Sequence, residues 1–282
     1  MSKHSRPSVI SEGATVGVIG AGVMGQTLIR GMIAGGVMDK DRVWAGDKSP
    51  TMCAKVSQEL GIPVEIDYAK RVPTADVILV CVKPADAPVV LSALRNAGLR
   101  SGALVVSILA GVGTERLEAL LGTDNPVIRA MPNTPAVAGE GMTVVCAGSH
   151  ASKADLERAQ QIFEAVGKCL AVDEIHFNGC TALSGSGPAY QFLIMEALAD
   201  AGVKVGLPRQ LAQHGLPGRA PRVHLPRRSG LSEQGRHEAE LDELPAACRR
   251  VLGSQRGRPD VGARRVRPQR RLRGRAVLHG RA

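Results

Sequence analysis

Residues 15–25 read Thr-Val-Gly-Val-Ile-Gly-Ala-Gly-Val-Met-Gly, and this stretch decides the fold. Its first five residues form a β-branched run typical of a strand, and the glycine-rich turn after it leads into helical spacing over 23–34. Gly20 permits a tight turn, Gly22 lets backbone amides approach a pyrophosphate, and Gly25 lets the helix pack closely on the strand. A strand, a glycine-rich turn and a helix in this order predict a dinucleotide-binding unit.

An acidic residue stands where such a unit contacts the ribose of its ligand. The strand expected at 42–45 leads to Asp47, 22 residues beyond Gly25. A carboxylate here accepts from a free 2′-hydroxyl and repels a 2′-phosphate, which favours NADH. Lys48 and Ser49 would bind the 2′-phosphate of NADPH if Asp47 turned away, so the choice between NAD and NADP stays open.

Strands and helices alternate after Asp47. A helix over 49–60, with Ser49 as its N-cap and Pro50 in its first position, precedes a short strand near 64–66. Strands are expected at 75–82 and 103–109, and helices at 85–96 and 114–121, the last opened by the hydroxyl cap of Thr114. Because the strands are apolar throughout, they predict an α/β fold of Rossmann type, with a parallel sheet covered on both faces.

The carboxyl ends of these strands locate a ligand site. In such sheets ligands bind beyond those ends, so the segments 20–25, 47–49, 83–84 and 110–111 should converge on one crevice. Lys83 directly after a buried strand points to a ligand, although a solvated charge is the alternative. Ala110 and Gly111 either let a ligand lie close to the backbone or only pack the strand end.

Several motifs in chain order give the sequence a family resemblance. They are 20–25, Val82-Lys-Pro84, Ser107-Ile-Leu-Ala-Gly111, Arg129-Ala-Met-Pro-Asn-Thr-Pro135 with Gly139-Glu-Gly-Met142, Thr181-Ala-Leu-Ser-Gly-Ser-Gly-Pro-Ala-Tyr190 and the run from Glu196 to Pro208. From about Val16 to about Leu211 the chain closely resembles the pyrroline-5-carboxylate reductase family. The resemblance implies transfer of a hydride from NADPH or NADH to the C=N carbon of Δ1-pyrroline-5-carboxylate, which yields L-proline in the last step of its biosynthesis.

The resemblance also implies a set of cofactor-binding residues. These are Gly20, Ala21, Gly22, Val23, Met24 and Gly25 on the pyrophosphate, Asp47, Lys48 and Ser49 on the adenosine ribose, Val82, Lys83 and Pro84 beside the ribose and nicotinamide, and Ala110 and Gly111 against the nicotinamide. Asp67-Tyr68 departs from the family, which usually offers an asparagine to the adenosine. No metal ligand is expected, since the cysteines show no paired spacing.

The expected catalytic residues are Asn133, Glu174, Ser184 and Ser186. Glu174 matches a family carboxylate that faces the substrate, or it is an exposed acid in the first turn of a helix. Ser184 and Ser186, with nearby free amides, either bind the substrate carboxylate or cap the helix that follows. Asn133 points a polar side chain to the same crevice, or it only holds its own loop. Because none is an evident proton donor, orientation, charge and water exclusion are expected to carry the reaction.

The charge of the chain is concentrated at one end. The formal net charge is +10, but residues 215–282 hold 17 arginines, no lysine, 6 acidic residues and no threonine. This stretch is either an out-of-frame reading of a GC-rich coding region, a basic arm that binds phosphate backbones, or an inert tail. The family continues here with a threonine-containing loop that binds the pyrroline carboxylate and completes the dimer. The chain is therefore expected to lack a complete substrate site and dimer interface, as a catalytically impaired relative would.

The expected organisation follows from these patterns. Residues 14–175 form the nucleotide-binding domain, 176–214 begin a helical substrate and dimerisation domain, and 215–282 form the irregular tail. An apolar face through Phe192, Leu193, Met195 and Leu198 is expected to be exposed and prone to association. The chain shows neither a membrane-spanning run nor a signal peptide, so a cytoplasmic enzyme is expected. The expected partner is a small-molecule substrate. A homo-oligomer is typical of the family, but the absence of the threonine-containing loop argues against one here, and a nucleic-acid partner is not expected.

Overall fold

The computed structural model describes residue 10 and residues 13–214, all within the first of the chain's two units, Met1–Arg227. Its strands are β1 (Val16–Ile19), β2 (Val43–Gly46), β3 (Val64–Glu65), β4 (Val77–Val80), β5 (Leu104–Ser107), β6 (Val127–Met131), β7 (Gly141–Ala147) and β8 (Gly167–Ala171). They form one sheet in the order β3-β2-β1-β4-β5-β6-β7-β8. Residues 215–282 lie outside the described residues, and with them the three interpretations of that stretch as an out-of-frame reading, a basic arm or an inert tail.

Helices connect the strands. They are α1 (Val23–Ala34), α2 (Pro50–Leu60), α3 (Ala87–Asn96), α4 (Thr114–Leu121), α5 (Lys153–Glu164), α6 (Phe177–Cys180), α7 (Gly187–Lys204) and α8 (Arg209–His214), with a π-helical turn at Thr181–Gly185. Single 3₁₀ turns lie at Lys40–Arg42, Val72–Thr74, Pro84–Asp86, Thr134–Ala138 and Glu174–His176. No helix in the described part of the chain is long and apolar enough to cross a membrane.

Apolar side chains cover both faces of the central strands. Leu79 of β4 belongs to the core cluster that includes residues of α1 and α5, whereas its neighbours Ile78 and Val80 belong to the cluster of α3 and α4. Side chains alternate across a strand, so a strand that is apolar throughout must be covered on both sides. The doubly covered sheet expected from the sequence is confirmed.

The predicted strands, β1 to β5, pair in parallel as expected. Beyond them the sheet continues through β6 and β8, which were not predicted, and through β7, which was not predicted either and reverses the strand direction. Strand β7 runs antiparallel to β6, with Arg129 opposite Cys146, and β8 then runs parallel to β7. Only residues 132–140 separate β6 from β7, and a parallel return needs a crossover of about a dozen residues or more. The crossover through α5 supplies that length for β8. The sheet is therefore mixed, parallel from β3 to β6 and reversed at β7.

Helix ends agree with the sequence at α2 but not at α4. The Ser49 side chain accepts from the Met52 N–H and Pro50 takes the first position of α2, as expected. At α4 the N-cap is Gly113, without a side-chain cap, and Thr114 is the first helical residue. The expected hydroxyl cap of Thr114 is wrong, because its Oγ1–H donates to the Glu174 carboxylate 60 residues further along the chain.

The cysteines behave as small apolar residues. Five lie in the described part of the chain, where all are free, and Cys53, Cys146 and Cys169 are buried. Burial raises the pKa of Cys146 and Cys169 to about 12. No group of three or more His, Cys, Asp or Glu within the described residues is placed to hold a metal ion.

The apolar face of α7 is exposed as the sequence predicts, except at Met195, which is half-buried. Phe192 is 48% exposed, Leu193 47% and Leu198 53%, and Ile194 on the same helix reaches 52%. The helix ends at Lys204, and α8 packs against it, with Arg209 paired to Glu196 and Asp200. Exposed apolar side chains at this density are typical of an association surface.

Candidate functional site

The glycine-rich turn between β1 and α1 fits a bound pyrophosphate. Gly20 has a φ of +104°, and a Cβ there would lie 2.7 Å from the Cys81 carbonyl carbon. A Cβ on Gly25 would lie 2.1 Å from the Gly20 oxygen, whereas one on Gly22 would meet nothing within 4 Å. The helix begins at Val23 without a side-chain cap. The backbone at Gly22 therefore faces open space. The first N–H groups of α1, which have no partner within the helix, make this space suitable for an anion.

The Asp47 carboxylate lies against this turn. Its Oδ2 accepts from the Ala21 N–H at 2.9 Å, and its Oδ1 accepts from the Ser49 N–H at 2.9 Å. Lys48 is directed elsewhere, since its Nζ lies 3.1 Å from Asp86 Oδ2 with the lysine side chain 82% exposed. Two backbone donors thus hold the carboxylate at the carboxyl end of β2.

The topology brings the remaining nucleotide segments to the same edge. β2, β1, β4 and β5 are adjacent and parallel, so residues 20–25, 47–49, 82–84 and 110–111 all follow carboxyl ends of neighbouring strands. Backbone hydrogen bonds join the strand ends, from Gly20 N to Gly46 O and from Cys81 N to Ile19 O, each 2.7 Å.

Side chains at this edge are accessible. Val82 is half-buried, and Lys83, Pro84, Ala110 and Gly111 are exposed. Within the described residues no ion pair engages Lys83, so its ammonium group is available to a ligand. Gly111 has a φ of +75°, a conformation that an L side chain rarely adopts.

Asn133 joins the sheet to the helical segment. Its Oδ1 accepts from the Met142 N–H and its Nδ2 donates to the Ser184 carbonyl, both at 2.9 Å. Ser184 donates its own hydroxyl to the Cys180 carbonyl in the π-helical turn. Ser186 stands at the N-cap of α7 but makes no capping hydrogen bond, so its hydroxyl is not used to close the helix.

Glu174 lies in a hydrogen-bonded cluster that the sequence did not reveal. Its Oε1 accepts from Arg129 Nη1 at 2.9 Å and from the Thr114 N–H at 2.8 Å, while Oε2 accepts from Thr114 Oγ1 at 2.5 Å. Arg129 is 8% exposed and its guanidinium carbon lies 4.2 Å from the centroid of the Phe177 ring. We name Thr114, Arg129 and Glu174 the carboxylate anchor.

The electrostatics of the anchor favour the ionised carboxylate. Burial by itself would raise the pKa of Glu174, but the hydrogen bonds from Thr114 and the ion pair with Arg129 outweigh it and hold that pKa below its ordinary value. A cleft of about 500 Å³ lies beside the anchor, lined by Cys146, Ala147, Leu156, Ala171, Val172, Asp173, Glu174 and His176. Arg129 could have been suspected from sequence, since a charged residue inside the apolar strand Val127–Met131 requires a buried partner.

Comparison with known proteins identifies the family. A pyrroline-5-carboxylate reductase from Pseudomonas aeruginosa is 43% identical over 198 residues, which cover 70% of this chain and 72% of the relative. The chain belongs to the pyrroline-5-carboxylate reductase family. A reductase of this family from Arabidopsis thaliana is 37% identical over 233 residues, covering 83% of this chain and 82% of the relative. The resemblance stated from the motifs is confirmed.

Solved structures agree with this family membership. A pyrroline-5-carboxylate reductase from Coxiella burnetii superposes with a TM-score of 0.66 at 34% identity, covering 71% of this chain and 74% of that one. The pyrroline carboxylate reductase of Plasmodium falciparum, crystallised with NADP bound, gives 0.63 at 30% identity, with coverages of 72% and 74%. The nucleotide edge described above lies inside the Rossmann-like part of the family fold.

Two family models match separate parts of the chain. Residues 15–111 match NADP oxidoreductase coenzyme F420-dependent, and residues 174–216 match pyrroline-5-carboxylate reductase dimerisation. The first match contains the glycine-rich turn, Asp47 and Lys83. The second begins at Glu174, so the carboxylate anchor ties the start of the dimerisation segment to β6 and α4 of the sheet domain.

Proposed function

We propose that this chain reduces 1-pyrroline-5-carboxylate to L-proline with NADH or NADPH, the last step of proline biosynthesis. One observation carries the proposal: a glycine-rich turn with uncapped helix amides, an acid at the end of β2, and Lys83, which no ion pair engages among the described residues, lie along one sheet edge in a chain of the pyrroline-5-carboxylate reductase family. We keep the boundaries 14–175 and 176–214 in this proposal, which the family matches at 15–111 and 174–216 support.

The nucleotide half of the site has defined tasks. The backbone of Gly20, Ala21, Gly22, Val23, Met24 and Gly25 receives the pyrophosphate, and Asp47 faces the adenosine ribose. Lys48 and Ser49 lie next to Asp47 but contact Asp86 and the Met52 N–H. Val82, Lys83, Pro84, Ala110 and Gly111 flank the nicotinamide half. When bound, NADH or NADPH supplies the hydride for the C=N carbon of the substrate. The exposed Lys83 ammonium attracts the anionic ligand, and the small residues at 110–111 leave room for a flat ring close to the backbone.

The substrate half rests on the entry to α7. The Ser186 hydroxyl, which makes no capping hydrogen bond at the start of α7, is a donor suited to the substrate carboxylate. Asn133 positions this entry to α7, because it holds the Ser184 carbonyl and the strand residue Met142 together. No acid or histidine forms a hydrogen bond with Ser186 in the described part of the chain, so orientation of a protonated imine, rather than proton donation by a side chain, is the expected mode.

The catalytic role of Glu174 stays a prediction. Both of its oxygens accept hydrogen bonds from Thr114 or Arg129, which supports a positioning role for the carboxylate anchor instead. A direct role requires the carboxylate to leave these donors when substrate binds.

Homodimer formation through α7 is part of the proposal. The exposed Phe192, Leu193 and Leu198 lie within the stretch that matches the dimerisation model. Leu193→Asp should shift the sedimentation of the chain from dimer to monomer, because a charge in an apolar interface is left unpaired. Val89→Asp, at a 74% exposed position on α3, is the matched control and should leave the assembly unchanged. A monomeric wild-type chain would contradict the dimer.

The cytoplasmic location stays a prediction.

The direct test is oxidation of NADH and NADPH by the purified 282-residue chain with 1-pyrroline-5-carboxylate, beside a titration of each nucleotide without substrate. Turnover confirms the proposed function. Nucleotide binding without turnover refutes it and supports the catalytically impaired relative expected from residues 215–282. Absence of both would show that the sheet edge does not bind a nucleotide.

A further inference from the structure

We propose that Asp47 makes this chain select NADH over NADPH. The inference rests on the proposed function, since it concerns the nucleotide of the same site. Family membership does not decide the matter, because the Plasmodium falciparum structure with NADP bound shows only what that protein accepts. The local structure around Asp47 decides it.

The Asp47 carboxylate is fixed at the ribose end of the site. It follows β2 directly, and its two oxygens accept from the N–H groups of Ala21 and Ser49, each at 2.9 Å. One donor belongs to the pyrophosphate turn and the other to the entry of α2. Turning the carboxylate away would break both hydrogen bonds and leave two backbone donors unsatisfied. The charge therefore stays where the ribose 2′-position arrives.

The groups that could hold a 2′-phosphate are engaged elsewhere. Lys48 forms an ion pair with Asp86, with its Nζ 3.1 Å from Asp86 Oδ2. The Ser49 oxygen accepts from the Met52 N–H as the N-cap of α2. Moving Lys48 to a phosphate would break only an exposed ion pair, a small cost, so the selection rests on the fixed charge of Asp47.

The fixed Asp47 carboxylate distinguishes NADH from NADPH at the ribose 2′-position. A ribose 2′-hydroxyl donates a hydrogen bond to the Asp47 carboxylate, and a dianionic 2′-phosphate meets like charge at the same place. We expect the Kd of NADPH to exceed that of NADH by at least about tenfold, the ratio that corresponds to 1.4 kcal/mol.

The test measures binding without substrate. Trp44 is the sole tryptophan of the chain and lies on β2, three residues before Asp47, so energy transfer from Trp44 to the reduced nicotinamide reports binding of either nucleotide. As a second probe, 5′-ADP should displace NADH, and adenosine 2′,5′-bisphosphate should do so at least about tenfold less well. Equal affinities, or tighter NADPH binding, would overturn the proposal while leaving the proposed function standing.

Variants assign the selection to Asp47. Asp47→Asn and Asp47→Ser remove the charge and should bring the two Kd values within about threefold of each other, mainly by tightening NADPH. Asp41→Asn changes the net charge equally at the opposite end of the same strand and should preserve the wild-type ratio. An unchanged ratio in folded Asp47 variants would overturn the proposal. If both variants fail to fold, the ratio of the wild-type Kd values for NADPH and NADH, together with displacement by the two competitors, still tests the proposal. NADH selection without turnover would refute the proposed function alone, and binding of neither nucleotide would overturn both.

Discussion

Replacing Glu174 by glutamine tests the carboxylate anchor. The substitution keeps one acceptor oxygen but removes the charge that pairs with Arg129, a side chain only 8% exposed. Arg129 Nε is already buried without a hydrogen-bond partner among the described residues. Breaking a buried ion pair costs about 3–5 kcal/mol. Because the Glu174 side chain is 34% exposed, solvent screens part of that loss, and we expect about 2 kcal/mol.

The assay is thermal unfolding followed by circular dichroism. For a domain of this size 1 kcal/mol corresponds to about 2–4 °C, so Glu174→Gln should lower Tm by about 4–8 °C. Glu157→Gln is the control, because Glu157 forms an exposed pair with Lys153 at 3.7 Å and should change Tm by less than about 2 °C. In a double-mutant cycle with Arg129→Met, the combined loss should be smaller than the sum of the single losses.

The pH dependence gives an independent measurement of the anchor. The folded-state pKa of Glu174 lies below its ordinary value of 4.5, so its stabilisation is complete above that value and is lost as pH falls through the folded-state pKa. The stability difference between wild type and Glu174→Gln should therefore be largest above about pH 5 and shrink below it. A Tm within about 1 °C of wild type at neutral pH, with kcat abolished, would refute the anchor and support the catalytic assignment.

Two further substitutions test local features. Gly25→Ala should unfold the chain or lower its stability by about 2 kcal/mol or more in thermal unfolding, because its Cβ would lie 2.1 Å from the Gly20 oxygen. Gly22→Ala, where a Cβ meets nothing, should keep Tm but weaken nucleotide binding in titration by about tenfold. Ser152→Ala should cost about 1 kcal/mol in the same unfolding assay, because it removes a capping box shared with Asp155.

The local part of the fold could be predicted because short-range physics determines it. Apolar spacing gives α1 its bounds at Val23–Ala34, and the Ser49-Pro50 pair marks the start of α2. Strand lengths were overestimated where apolar residues continue past the hydrogen-bonded ladder: the run 75–82 contributes only Val77–Val80 to β4. The strands β6, β7 and β8 were not predicted, and the reversal at β7 could not have been read from periodicity, because strand direction depends on the length of the connection.

The candidate site also contains features that could be predicted from sequence and features that could not. The nucleotide edge could be predicted because parallel strands bring their carboxyl ends together whatever the side chains do, so motif spacing alone places Gly22, Asp47 and Lys83. The orientation of the Asp47 carboxylate could not be predicted, because it depends on the Ala21 N–H, 26 residues away in the chain, as well as on the Ser49 N–H two residues away. The anchor is still less local, with Thr114 and Glu174 separated by 60 residues. Positions that depend on backbone geometry can thus be predicted from sequence, whereas the environment of a charged side chain depends on partners that only the folded chain supplies. Neutralising the two acids is therefore expected to have different consequences. Neutralising Asp47 should alter nucleotide choice, whereas neutralising Glu174 should reduce stability.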